Sequence, residues 1–385
     1  MTWMVDWSGM AVLHMELFTD IIFIAIVTAV ACALPGVFLV LRRMAMISDA
    51  ITHTVLLGIV LAFFVVRDIT SPVLVIAASG AGVATVVLIE LLSRSNRVRE
   101  DAAIGLVFPL LFSIAVILIA QYAGSIHLDV DAVLLGELAF APLDRLEFAG
   151  NDLGPRSLWL MSGILIVSLA LLITFYKELK LTTFDAALAA AFGFAPAALH
   201  YGLMSVVSLT AVGAFNAVGS VLVVALMVAP PAAAYLLTDR LPRMLALSAL
   251  FGALAAILGC WAAFALNASI AGAMAVMTGL IFCLAWMFAP QRGLLAQVVR
   301  RVRQRWEFAQ AMLAVHLLHH QATSQAVVEC QAAHLSEHLN WSPAFTERVV
   351  RRAEQRGLLA QQNGMLTLTD QGRRFVATIL GGDGL

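Results

Sequence analysis

Arg42-Arg43-Met44-Ala45-Met46-Ile47-Ser48-Asp49-Ala50-Ile51-Thr52-His53-Thr54 is the stretch on which the reading of this chain turns. It leads into a 23-residue run, Met44 to Val66, whose one full charge is Asp49. Such a run is long enough to cross a bilayer as a helix. Asp49 and His53 are four residues apart, so a helix stacks them on one face. At a rise of about 1.5 Å per residue, Asp49 lies well inside the run and His53 near its middle. A carboxylate at that depth costs about 2.5–3.5 kcal/mol even on the gentler scales. A polar lining meets that cost, and a carboxylate oxygen beside an imidazole nitrogen is a ligand pair for a divalent metal. The plainer alternative is a carboxylate bonded to its own histidine and serving only helix packing.

The rest of the composition agrees with a membrane setting. Hydrophobic residues make up 62% of the 385 and charged residues only 12%, which excludes an ordinary soluble domain. Nine apolar segments can be read, at about 19–41, 44–66, 71–92, 102–122, 157–176, 198–214, 217–237, 243–266 and 270–289. The fold class expected is therefore an all-α polytopic membrane protein. The 40 residues from 198 to 237 exceed one crossing, and Gly213, Asn216 and Gly219 mark a turn between two spans. Basic residues recur in every second loop: Arg42 and Arg43; Arg94, Arg97 and Arg99; Lys177 and Lys180; Arg240 and Arg243; then Arg292 to Arg305. The positive-inside rule puts those loops in the cytoplasm, the N-terminus outside and the C-terminus inside. MTWMVDWSGM lacks a basic n-region and carries Asp6, so no cleavable signal peptide is expected.

Two connecting regions stand out. Residues 123–156 read as a long external loop with short surface helices; His127, Asp129 and Asp131 are candidates to meet a cation at its mouth, although solvated loop residues are the simpler reading. Phe184 to Gly193 follows Lys177 and Lys180, is rich in alanine, and has Asp185 near its start and Gly193 near its end. These features suit a short helix lying across the cytoplasmic face, shaped for docking onto a partner. His14 and His200 read as isolated. The two lysines, Lys177 and Lys180, do not belong to a P-loop, so ATP chemistry has to come from another chain.

The composition changes after Gln291. A basic juxtamembrane linker, 291–304, leads to residues 305–385, which hold seven Arg/Lys and seven Asp/Glu and lack a long apolar run. The expected order is helix (306–320), helix (327–339), turn at Asn340 to Pro343, helix (344–356), hairpin with its turn at Asn363-Gly364, and a last helix from Thr369. That order is a small cytoplasmic winged helix-turn-helix domain. Cys330, His334 and His338 fall at i, i+4, i+8 of the second helix and form a candidate regulatory metal site, with solvated surface histidines as the alternative. Arg348, Arg351, Arg352 and Arg356 could mark a recognition helix, but the balanced charge of the domain argues against nucleic acid as partner.

Gly36-Val37-Phe38-Leu39-Val40-Leu41-Arg42-Arg43 running into Ser48-Asp49-Ala50-Ile51-Thr52-His53 resembles the second-helix signature of permease subunits of manganese/zinc/iron ABC importers. Glu100 to Gly105, Leu135-Gly136-Glu137, Phe184-Asp185 and Val218 to Leu226 resemble the same family in order and spacing, over residues 17 to about 290. The resemblance implies a homodimeric pore, separate ATP-binding subunits and an external metal-binding protein. No permanently bound cofactor is implied; the divalent metal (manganese, zinc or iron) is cargo. It makes Asp49 and His53 pore ligands, and it makes Phe184, Asp185, Ala189 and Gly193 part of the coupling helix beneath a bacterial inner membrane. The tail departs from most of that family, and Arg348 to Leu358 resembles the winged-helix end of metal-dependent repressors. The rival readings are a membrane-tethered metal-responsive regulator, with the tail as its output, and an importer of a metal chelate.

Overall fold

The computed structural model describes residues 7–67, 71–95, 97–122, 138–148, 151–321, 330–331, 334–362 and 364–380. They fall into two compact units, Met1–Gly293 and Leu294–Leu385. Within the first unit run α1 (Trp7–Leu41), α2 (Ala45–Val66), α3 (Pro72–Arg94) and α4 (Glu100–Tyr122). A β-hairpin follows (β1 Arg145–Phe148, β2 Asn151–Pro155), then α5 (Arg156–Thr174), α6 (Tyr176–Phe184), α7 (Ala186–Ala191), α8 (Pro196–Leu237), α9 (Leu241–Leu266) and α10 (Ile270–Phe288). Among the described residues nine helical segments are long and apolar enough to cross a membrane.

α8 supplies two of those segments, Pro196–Phe215 and Ala217–Leu237. Gly219 interrupts it with φ 77° and ψ 165°, a conformation open essentially to glycine alone. Contacts with α1 show that the chain doubles back there. Arg42 touches His200, while a Cβ at Gly36 would strike the carbonyl of Met227. Gly36 and Arg42 are about 9 Å apart along the chain, whereas one straight helix would hold His200 and Met227 about 40 Å apart. The turn read from Gly213, Asn216 and Gly219 thus falls where the two spans meet.

α1 is the most enclosed span and α10 among the least. Small residues let the backbones approach: Gly36 meets Met227, and Gly58 of α2 lies against Ala77 and Ala78 of α3, where a Cβ would come 2.6 Å from the Ala78 Cα. Leu106, Leu110 and Ile117 of α4 point outward, as a lipid-facing side requires. Several polar groups inside are bonded locally or across helices, for example Thr85 Oγ1 to Thr54 Oγ1 at 2.9 Å and Ser208 Oγ to the Ser79 carbonyl at 2.8 Å.

The described part of the long loop holds a 3-10 turn (Ala141–Leu143) and the β1–β2 hairpin, where surface helices were expected. The hairpin is pinned locally: Asp152 accepts from the Gly154 N–H at 2.8 Å and pairs with Arg145 at 2.6 Å. His127, Asp129, Asp131 and the Leu135-Gly136-Glu137 motif lie outside the described residues.

The second unit has its own core, built on Leu313, Leu317, Leu335, Val349, Leu366 and Val376. Its elements are α11 (Leu294–His320), α12 (Leu335–His338), α13 (Pro343–Gln355), β3 (Leu359–Gln362), β4 (Met365–Leu368) and α14 (Asp370–Leu380). Two expectations change here. Most of the stretch 291–304 is the first half of α11 rather than a linker. The second helix of the tail, expected over 327–339, is present only as α12 among the described residues. Cys330 and Gln331 pair instead with the hairpin, through the Leu366 N–H to the Cys330 carbonyl at 2.9 Å and a bridge from Gln331 to Met365. Backbone pairing with β4 holds Cys330 out of the helix, so the three-ligand face of Cys330, His334 and His338 does not form; the Cys330 side chain is buried in the core.

Candidate metal site

α2 carries the site. Ile47, Ser48, Ala50, Ile51, Thr52 and Thr54 are buried against the neighbouring helices α3, α4 and α8. Asp49 and His53 occupy the remaining face, one turn apart, with His53 Nε2 3.5 Å from Asp49 Oδ1. Their side chains are 35% and 27% exposed, so the face is neither sealed inside the subunit nor fully open. α4 walls one side. The His53 ring stacks on Phe108 at 5.5 Å and meets Phe112 edge-on at 6.0 Å. These ring contacts restrain the imidazole orientation on one side. Among the described residues no group of three His, Cys, Asp or Glu is arranged to hold a metal ion. Asp49 and His53 thus stand as a pair of candidate donors without a third beside them among the described residues.

A second polar cluster lies at the Arg42 end of α2. The Arg42 guanidinium donates to Thr183 Oγ1 and Thr182 Oγ1, both at 3.2 Å, and to His200 Nδ1 at 3.1 Å. His200 Nε2 sits 2.5 Å from Glu90 Oε1, close enough to pair but off the line of a hydrogen bond. Tyr201 donates to Glu90 Oε2 at 2.8 Å, and Arg94 approaches the same oxygen at 3.4 Å. Burial lowers the Arg42 pKa below its ordinary value, yet a guanidinium stays charged. His200, read as isolated in the sequence, is thus the middle of a four-element junction. The signal that could have found it is Glu90, a carboxylate inside an apolar span.

Thr182 and Thr183 end α6, immediately before the region expected to dock a partner. That region is two pieces: Phe184 closes α6, and Asp185 caps α7 by accepting from the Leu188 N–H at 2.8 Å. Gly193, with φ +85°, ends it as a left-handed glycine cap. Phe184, Leu188 and Phe192 are exposed; Ala189 is fully buried within the subunit.

Residues 14–289 match the ABC 3 transport family. The chain belongs to the ABC 3 transport family. Its family relatives include the zinc transport system membrane protein TroD of Treponema pallidum, 49% identical over 353 residues, covering 92% of this chain and 96% of that protein. They also include the manganese transport system membrane protein MntD of Bacillus subtilis, 45% identical over 289 residues, covering 75% of this chain and 98% of that one. Among solved structures, a chain of PsaBC from Streptococcus pneumoniae in complex with Fab superposes with a TM-score of 0.60 at 28% identity, over 71% of this chain and 92% of that one. The TroD match is longer than the 293 residues of the first unit, so the likeness extends into the second. MntD is matched almost whole by three quarters of this chain. As an ABC 3 family member with nine apolar helical segments among its described residues, the protein is a multi-pass membrane protein.

Proposed function

We propose that this chain is the membrane-spanning subunit of an ATP-driven importer of a divalent transition metal, with Asp49 and His53 as transient pore ligands. Zinc and manganese are the metals named for its relatives, and the cargo is drawn from that pair. The observation that carries the reading is the Asp49–His53 pair on a half-exposed face of a membrane-spanning helix. Two copies of the chain, facing each other across that surface, would supply two carboxylates and two imidazoles. Two carboxylates balance the charge of one divalent ion, and four mixed N/O donors suit a tetrahedral site. An ion held by so few protein ligands can be handed on.

The same reading assigns the partners. An external metal-binding protein delivers the ion, and separate ATP-binding subunits dock on the Phe184–Gly193 region from the cytoplasm. The basic loops support that orientation, with the N-terminus outside and the C-terminus inside. The order α11, α12, α13, β3–β4, α14 supports a winged helix-turn-helix reading of the tail. Its arginines argue against DNA as partner: Arg352 lies over the Trp306 ring at 4.0 Å, Arg356 donates to Gln310 at 2.9 Å and Arg351 pairs with Glu347 at 3.2 Å.

The test is metal uptake normalised to membrane-inserted protein. Asp49→Asn and His53→Ala should each abolish uptake of zinc or manganese while insertion persists. Normal uptake per inserted molecule, with poor insertion, would return the pair to a packing role.

A further inference from the structure

The two halves of α11 differ. The side chains it places in the core begin at Ala309 and continue with Gln310, Leu313, Ala314 and Leu317. From Leu294 to Phe308 it buries no side chain. Yet this first half is not polar. Leu294, Leu295, Val298, Val299 and Val302 recur at spacings of three and four, so they form one stripe. Leu295 and the three valines are each half exposed or more. Valine is a poor helix former, because its branched carbon is restricted against the preceding turn. Three valines on an unpacked stretch of helix point to a surface that holds the stripe from outside. Arginine surrounds the stripe: Arg301 and Arg305 lie along one edge, Arg303 along the other, and Arg300 on the far side. Arg303 pairs with Glu307 at 2.7 Å and Arg305 lies over the Phe345 ring at 4.8 Å, while Arg300 and Arg301 are exposed.

We propose that the Leu294–Val302 stripe lies on the bilayer that α10 crosses, its apolar side chains between the headgroups and its arginines on anionic ones. Five residues, Ala289 to Gly293, link the end of α10 to α11, a reach of no more than about 20 Å. Ala289 ends α10 in an extended conformation and Pro290 follows, so α11 is a separate helix rather than an overlong span. No Asp or Glu occurs from Ala289 to Trp306, so the segment complements an anionic surface. The same charge disfavours a second copy as the occupant: pairing two stripes face to face would set arginine against arginine. An apolar face edged by arginine is the pattern of a helix lying in the headgroup plane. The inference rests on α10 crossing the membrane, and not on the metal-importer reading.

The experiment uses the full chain reconstituted in vesicles of phosphatidylcholine, alone or mixed with phosphatidylglycerol. A benzophenone amino acid at Val299 should cross-link to lipid severalfold more than the same probe at Gln297. Gln297 is two residues away, on the opposite side of the helix, and nearer to α10 along the chain, so closeness to the span alone would favour it. Capture at Val299 should fall severalfold when phosphatidylglycerol is left out or salt is raised to about 1 M, two readings that need no further variant. Arg301→Gln should lower it by about fivefold, the factor for one charge at an anionic surface. A product of two cross-linked copies, equal lipid capture at Val299 and Gln297, or capture indifferent to phosphatidylglycerol and salt would overturn the assignment.

Discussion

Arg42 and His200 are 158 residues apart in the chain, and their side chains meet at 3.1 Å, Nη1 to Nδ1. The same guanidinium reaches Thr182 and Thr183 near the end of α6, three and two residues before Asp185, which caps α7. On its other side Arg42 lies in the short turn that opens α2, seven residues before Asp49. Arg42 therefore joins the proposed docking region to the helix that carries the proposed pore ligands.

Lysine at this position keeps the charge but cannot hold two hydroxyls and an imidazole in one planar fork. Arg42→Lys should lower stability by about 1–3 kcal/mol, the range for stranding partly buried polar partners. Thermal unfolding of the purified protein measures it. An unchanged melting temperature would show that the junction carries no weight.

Gly219→Ala should be more harmful than its size suggests. The φ of 77° with ψ of 165° costs a residue bearing a Cβ about 1–3 kcal/mol. We expect reduced membrane insertion or a lowered melting temperature, while Gly163→Ala, where a Cβ meets nothing within 4 Å, should be neutral. Equal behaviour of the two variants would contradict the strained turn.

The exposed apolar side chains near α7 separate docking from packing. Phe192→Ser should leave the melting temperature near that of the parent and weaken association with an ATP-binding partner. Asp185→Ala should also weaken it, through loss of the cap, worth about 1 kcal/mol. Ala189→Leu should instead destabilise the subunit, since that site is full. Pull-down of the partner alongside thermal unfolding distinguishes the two patterns, and a stable Ala189→Leu protein would refute the packing assignment.

The β1–β2 hairpin should loosen only in acid. The Gly154 N–H first, and then Arg145, hold the Asp152 carboxylate below the usual carboxylate range. A depressed folded-state pKa means the contribution is complete above the ordinary value of about 3.9 and is lost as pH falls through the folded one. Amide exchange in residues 145–155 should therefore be pH-independent in its protection down to about pH 4 and rise below it, and Asp152→Asn should remove that acid step. Loosening that begins near pH 6 would point to another group.

What the chain reveals without its fold is what depends on near neighbours. A bilayer span is a property of about 20 consecutive residues, so the apolar runs correspond closely to α1–α5 and α8–α10. The Asp49–His53 pair was legible because i and i+4 meet on any helix. The reversal in α8 was legible because length and glycine are both local signals. Contacts between distant segments decided the rest. Phe108 and Phe112 wall His53 only because α4 packs on α2, and Glu90 meets His200 only because α3 packs on α8. The tail shows the limit most directly. Its spacing grouped Cys330 with His334 and His338, but the backbone of Cys330 bonds to Leu366, far along the chain, and its side chain enters the core. It is His316 of α11 that comes near His338, with ring centroids 6.2 Å apart. Sequence spacing orders side chains along one element; which elements face each other follows from burying their apolar sides together.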